Sequence, residues 1–266
     1  MLNVDVGGGD QLAVAVLAQY RMATTEQMHL PIAPGVRIER TRRRLVKLRG
    51  EGLIDRVTLP QAGRTRVLFV TQYGAQVAME RPELRNWQPS RTVSDRTAAR
   101  LRVGHALTVA ETGLAFVQDA RRRGDVCRPL DWIPEVYHSL GSGETVIPDA
   151  LLYYRQSDDG ERAGSMLRAF VEVDRATMGP ERLAAKLGAY ARLHQCVPAP
   201  PPGARHQPAG REESWRQRYP LFPRLLFALD GTGQTGVDTR ISALRQPPAT
   251  SHWRASCGRF PCWRPR

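Results

Sequence analysis

The sequence predicts an α+β protein built from two modules. Three observations predict it: helical periodicity from residue 10 that gives way to a hairpin pattern before residue 80, a long helical stretch after a Pro-containing linker, and strand-like runs from Asp131 onward interrupted by one helix. At 266 residues the chain is long enough for one large domain or two modest ones. A 41% hydrophobic share is enough to build a core, which argues against wholesale disorder. No run approaches the roughly 18 apolar residues of a membrane helix. Met1-Leu2-Asn3-Val4-Asp5 lacks the basic start of a secretory signal. Cysteines at 127, 196, 257 and 262 are too few and too scattered for a disulfide-stapled secreted domain. The expectation is a cytoplasmic protein with no membrane partner.

Asp10 is expected to cap a first helix whose apolar residues Leu12, Val14, Val16, Leu17 and Tyr20 run to about Arg21. Thr24 or Thr25 opens a short second helix, stopped by Pro31. After Pro34-Gly35 a third helix covers about residues 36–51, with Ile38, Leu45 and Leu48 as its buried stripe. Strands at 53–59 and 64–70, joined by Pro60-Gln61-Ala62-Gly63, make a hairpin, and Thr71 caps a further helix through Met79. Three helices followed by a ribbon over residues 10–80 is the layout of a winged helix-turn-helix, which makes double-stranded DNA the expected partner.

The charge agrees with that layout. Between Arg37 and Arg56 stand eight basic residues against three acidic ones, within a formal net charge of +13. Arg40, Arg42, Arg43, Arg44, Lys47 and Arg49 crowd the third helix, the element that enters the major groove in such domains. Arg64 and Arg66 flank the ribbon tip, where a wing meets phosphates. All but two of the 39 basic residues are arginine, and Asn occurs only at Asn3 and Asn86, a bias typical of GC-rich coding. A solvated helix face in an Arg-rich chain is therefore the plain alternative. Helix order, wing and charge together favour DNA binding.

Residues 81–124 form a linker and a bridging helix of about 95–123, with Leu101, Leu107, Val109, Leu114 and Val117 as its apolar members. His105 is expected to be a core or capping histidine, because no second His or Cys stands at ligand spacing. Residues 125–240 are expected to be α/β, with strands near 132–138, 146–154, 167–174 and 221–229 and a helix over 180–194. A Pro-rich loop covers 197–210. Gly231-Thr232-Gly233-Gln234-Thr235-Gly236 matches a dinucleotide fingerprint in letters only, since no amphipathic helix is expected to follow it. Residues 241–266 are basic and aperiodic and are expected to be disordered, with no zinc pair at Cys257 and Cys262.

The richest chemistry lies in Val146-Ile147-Pro148-Asp149-Ala150, Phe170-Val171-Glu172-Val173-Asp174 and Lys186-Leu187-Gly188-Ala189-Tyr190. Glu172 and Asp174 are two apart on a strand, so both carboxylates project from one face. A polar turn lets the strand beside Asp149 pair with it as a hairpin. Three carboxylates at one sheet edge repel unless a hard cation neutralises them, which makes Mg²⁺ or Mn²⁺ the expected cofactor, held by Asp149, Glu172 and Asp174. Lys186 would add positive charge beside an attacking water or a scissile phosphate, and Tyr190 lies one helical turn further on. Alternating carboxylates are also common on solvated sheet faces, where an ion pair with Lys186 is worth little.

This Pro-Asp, Glu-x-Asp, helix pattern resembles the PD-(D/E)xK nuclease superfamily, in which an acidic pair binds divalent metal and a lysine assists the nucleophilic water. The usual lysine two residues after the acid is replaced by Asp174. The resemblance implies a restriction-endonuclease-like α/β domain over 125–240, with Asp149, Glu172, Asp174, Lys186 and Tyr190 as its catalytic set. Across about residues 10–230 the chain also resembles the replication-relaxation family of actinobacterial plasmids and mobile elements, through the N-terminal winged helix, His105-Ala106-Leu107, Pro148-Asp149-Ala150 and Glu172-Val173-Asp174-Arg175-Ala176-Thr177. That resemblance implies a role in plasmid replication or relaxation; with the basic third helix and the acidic triad, the expectation is a protein that binds plasmid or mobile-element DNA and nicks or cuts it with Mg²⁺. The alternative is a non-catalytic replication or transcription regulator with a degenerate nuclease fold. A replicase or relaxase protein, or a second copy of the chain, are the protein partners left open.

Overall fold

The computed structural model describes residues 8–59, 65–84, 96–141, 143–157, 164–177, 179–197 and 212–245. Among them are seven α-helices and three small sheets, a mixed α+β architecture. Helix α1 (Gly9–Tyr20) is apolar nearly all round, and Ala13 to Ala18 are fully buried, as such a helix requires. The expectation that Asp10 caps it is corrected. Gly8 is the cap residue and makes no side-chain bond. Asp10 lies inside the first turn, its carboxylate drawn away by Arg44 and Lys47, because charge-assisted bonds to two cations outcompete a backbone N–H.

Strand β1 (Ala23–Thr24), unanticipated from sequence, leads into α2 (Thr25–Ile32). Thr24 caps α2 reciprocally: its Oγ1 accepts from Gln27 N at 3.2 Å, and Gln27 Oε1 accepts from Thr24 N at 3.1 Å. Pro31 sits inside the last turn and does not stop the helix, since its fixed φ is helix-compatible and only one N–H is lost. Helix α3 (Ile38–Gly50) buries Thr41, Leu45 and Leu48. Strands β2 (Ile54–Leu59) and β3 (Thr65–Val70) pair antiparallel from Ile54↔Val70 to Leu59↔Thr65, and β1 adds to the other side of β3. The connection carrying Arg64 lies outside the described residues. Thr71 caps α4 (Gln72–Ala78) by accepting from Gly74 N at 3.0 Å. A Cβ on Gly74 would stand 1.8 Å from the Leu53 carbonyl oxygen, so the helix can ride there only on glycine.

Helix α5 (Arg96–Arg123) is followed by β4 (Trp132–Pro134), β5 (His138–Gly141), β6 (Glu144–Val146), β7 (Ala150–Arg155), β8 (Met166–Asp174), α6 (Pro180–Gln195), β9 (Arg224–Leu229) and α7 (Gln234–Arg245). Two expected strands are each split. The run 132–138 divides into β4 and β5, and 146–154 divides at Pro148-Asp149, where proline cannot donate to a ladder. A helix does follow the glycine motif, so 241–245 are helical; the remaining tail, with Cys257 and Cys262, and most of the Pro-rich loop lie outside the described residues.

By contact the chain forms two compact units. The first comprises Met1–Val136, Ile147–Arg175 and Pro223–Asp230. Its four-stranded sheet has the order β4-β7-β8-β9, antiparallel except for the parallel pair β8–β9, whose connection runs through α6 as a crossover must. Trp132 anchors this unit: its ring stacks on Tyr20 at 6.4 Å and 9°, and its carbonyl accepts from Gln19 Nε2 at 2.5 Å. Cys127 belongs to the same core, where burial and then the Asp131 charge push its thiol up to about 12, so it is a neutral packing group. The second unit comprises Tyr137–Val146, Ala176–Phe222 and Gly231–Arg266. There Leu183, Tyr190 and Leu193 of α6 are buried, and His194, Trp215 and Phe222 form an aromatic cluster closed by Trp215 Nε1 donating to His194 O at 2.9 Å.

Candidate functional site

Two groups of expected site residues fall in the first unit. The first is the basic face of α3. Burying Thr41, Leu45 and Leu48 turns Arg40, Arg42, Arg43 and Arg49 outward, and all four are exposed. They are not electrostatically equal. Arg42 approaches Glu39 at 3.4 Å and Glu26 at 3.9 Å, and Arg49 approaches Asp55 at 3.5 Å. Arg44 Nε and Lys47 Nζ hold Asp10 at 3.0 and 2.9 Å. Arg40 and Arg43 have no ion-pair partner among the described residues. With Asp10, Arg44 and Lys47 they line an open groove of about 490 Å³. On the hairpin, Arg66 is exposed. Desolvation and then the like charges of Arg49 and Arg66 hold the Arg56 guanidinium below its ordinary range. The basic surface thus continues from the end of α3 onto β2 and β3 through Arg56, which the sequence reading left out of the site.

The second group stands on the β7–β8 hairpin. Ala150 is opposite Val171. Asp149, one residue before β7, turns its side chain onto the strand: Oδ2 accepts from Val173 N at 2.7 Å. Glu172 and Asp174 flank that N–H and are buried, at 4% and 2% exposure. Strand alternation puts them on one face, while Val171 and Val173 turn into the core of the unit. Asp149 Oδ1 lies 2.9 Å from His105 Nε2. A carboxylate only accepts, so this ring nitrogen carries the proton.

His105 is the site neighbour that the sequence reading missed; it is neither core nor cap, with its side chain 48% exposed. A helical wheel held the signal. Val103, Ala110, Leu114 and Val117 bury one face of α5, and His105 is on the opposite side. Arg175 lies against the neighbouring Gly104, where a Cβ would stand 2.5 Å from its Nη1. Lys186 and Tyr190 belong to the second unit, on α6, Lys186 half-buried and Tyr190 buried. Among the described residues no group of three or more His, Cys, Asp or Glu is arranged to hold a metal ion.

Asp149 is therefore a structural clasp whatever else it does. Asp149→Ala should cost about 1–3 kcal/mol, because it strips the Val173 N–H and His105 of their acceptor. Urea denaturation measures this. A loss below about 0.5 kcal/mol would mean that neither bond matters.

A family model described as replication-relaxation matches residues 14–201, and the chain belongs to that family. No curated protein and no solved structure matches it. Membership points to a DNA-related role in plasmid replication or relaxation. No helix of the described residues is long and apolar enough to cross a membrane.

Proposed function

We propose that the chain is a double-stranded-DNA-binding protein of plasmid or mobile-element replication, and that it meets the duplex as a winged helix does, with α3 in the major groove and the β2–β3 hairpin on phosphates. One observation carries this reading: Arg40 and Arg43 stand exposed on the outward face of the third helix, and neither has an ion-pair partner among the described residues. The short strand β1 completing the hairpin sheet, and the basic run through Arg49, Arg56 and Arg66, support it. The test is titration of a labelled duplex with the full chain at several salt concentrations. Affinity should fall steeply as salt rises. Absence of binding at 50 mM salt would sink the reading.

A second reading, metal-dependent nicking or cleavage by a restriction-endonuclease-like domain, is favoured by the Asp149 side chain bonding to the strand between two buried carboxylates. It would use Asp149, Glu172 and Asp174 with Mg²⁺ or Mn²⁺, and Lys186 and Tyr190 from α6. Because no three-ligand group forms among the described residues, we derive no step through a metal. Conversion of supercoiled plasmid in Mg²⁺ by the wild type, lost in Glu172→Gln, would support it. Equal conversion by both proteins, or none by either, would leave the non-catalytic regulator.

A further inference from the structure

We propose that the groove between α1 and α3 is a pre-built clamp for one backbone phosphate of duplex DNA, and that Asp10 is its positioning residue. The inference rests on the DNA-binding reading and goes further, because it gives an acid and a glycine a part in binding an anion. Asp10 is the innermost member: its side chain is 7% exposed, against 23% for Arg44 and 36% for Lys47. The acid is the most buried of the three, while both cations still open towards solvent. Asp10 Oδ1 stands 3.0 Å from Arg44 Nε and its Oδ2 stands 2.9 Å from Lys47 Nζ. A guanidinium has five N–H donors and an ammonium three, so most remain for an incoming anion.

Behind the Arg44 side chain stands a glycine. The Arg44 guanidinium lies over Gly9, where a Cβ would stand 2.5 Å from Nη2 and 2.8 Å from Cζ. Arg40 and Arg43 line the same opening. Arg40, Arg43, Arg44 and Lys47 together outweigh one carboxylate, so the groove keeps a strongly positive balance after Asp10 is counted. An acid beneath the cations lowers the net attraction but holds two flexible side chains in one arrangement. Pre-ordering removes an entropy cost that binding would otherwise meet.

The sign of one substitution separates this from simple electrostatics. Asp10→Asn removes a negative charge from a DNA-facing groove, so charge alone predicts tighter binding. The clamp predicts weaker binding, by about tenfold at 0.1 M salt, with a salt slope shallower by about 1 for the lost phosphate contact. Gly9→Ala displaces only the Arg44 guanidinium and should weaken binding severalfold with an unchanged melting temperature. It decides the matter if Asp10→Asn fails to fold. The probe is a labelled duplex with the full chain, with inorganic phosphate at matched ionic strength as a second arm. Phosphate alone should not raise the melting temperature. A rise abolished by Asp10→Asn would overturn the duplex as the source of the anion. Equal or tighter binding by Asp10→Asn or Gly9→Ala overturns the clamp while leaving DNA binding intact. No duplex binding by the wild type overturns the DNA-binding reading itself.

Discussion

Trp132→Ala should destabilise the protein by about 3–5 kcal/mol, the range for deleting a buried large aromatic. Trp132 is 1% exposed and sits where α1, α5 and β4 meet. Tyr20 stacks on it from α1. From α5, Gly113 comes so close that a Cβ there would be 2.8 Å from the indole. Few neighbours can relax into the void, because two of them are helices fixed by their own packing. Trp132→Phe keeps a ring for Tyr20 to stack on and should recover more than half of the loss. Urea denaturation followed by far-UV circular dichroism measures both. A loss under about 1 kcal/mol for the alanine variant would mean that this junction is not a core.

Arg40→Ala combined with Arg43→Ala should reduce duplex affinity by about 10- to 100-fold at 0.15 M salt, with the salt slope shallower by about 2. Arg42→Ala combined with Arg49→Ala removes the same formal charge and should cost less, about threefold, since those two sit beside Glu26, Glu39 and Asp55. The ranking is what tests the interface. If the two double variants lose affinity equally, the neighbours of Arg42 and Arg49 do not matter and total charge governs binding. Anisotropy titrations of both variants across a salt series provide the comparison.

The features legible in the sequence are local ones. The cap at Thr24 with Gln27, the cap at Thr71, the stripe of Leu45 and Leu48 on α3, the β2–β3 pair and the face shared by Glu172 and Asp174 all depend on residues two to four apart or on short connections. The hairpin that brings Asp149 alongside them was legible too, from the polar turn between its strands. Family membership agrees with the resemblance carried by those same segments.

Distant partners decided the rest. Asp10 has the spacing of a cap, yet it bonds to Lys47 across 37 residues of chain. His105 meets Asp149 across 44 residues. Nothing within either local stretch reveals such a partner. The sequence by itself determined the helix caps, the α3 stripe and the hairpins whose signals are local, and how much positive charge α3 carries. Only tertiary packing decided which of those charges are held by an acid among the described residues and which are not, because an ion pair depends on distance in space and a periodic pattern records only distance along the chain.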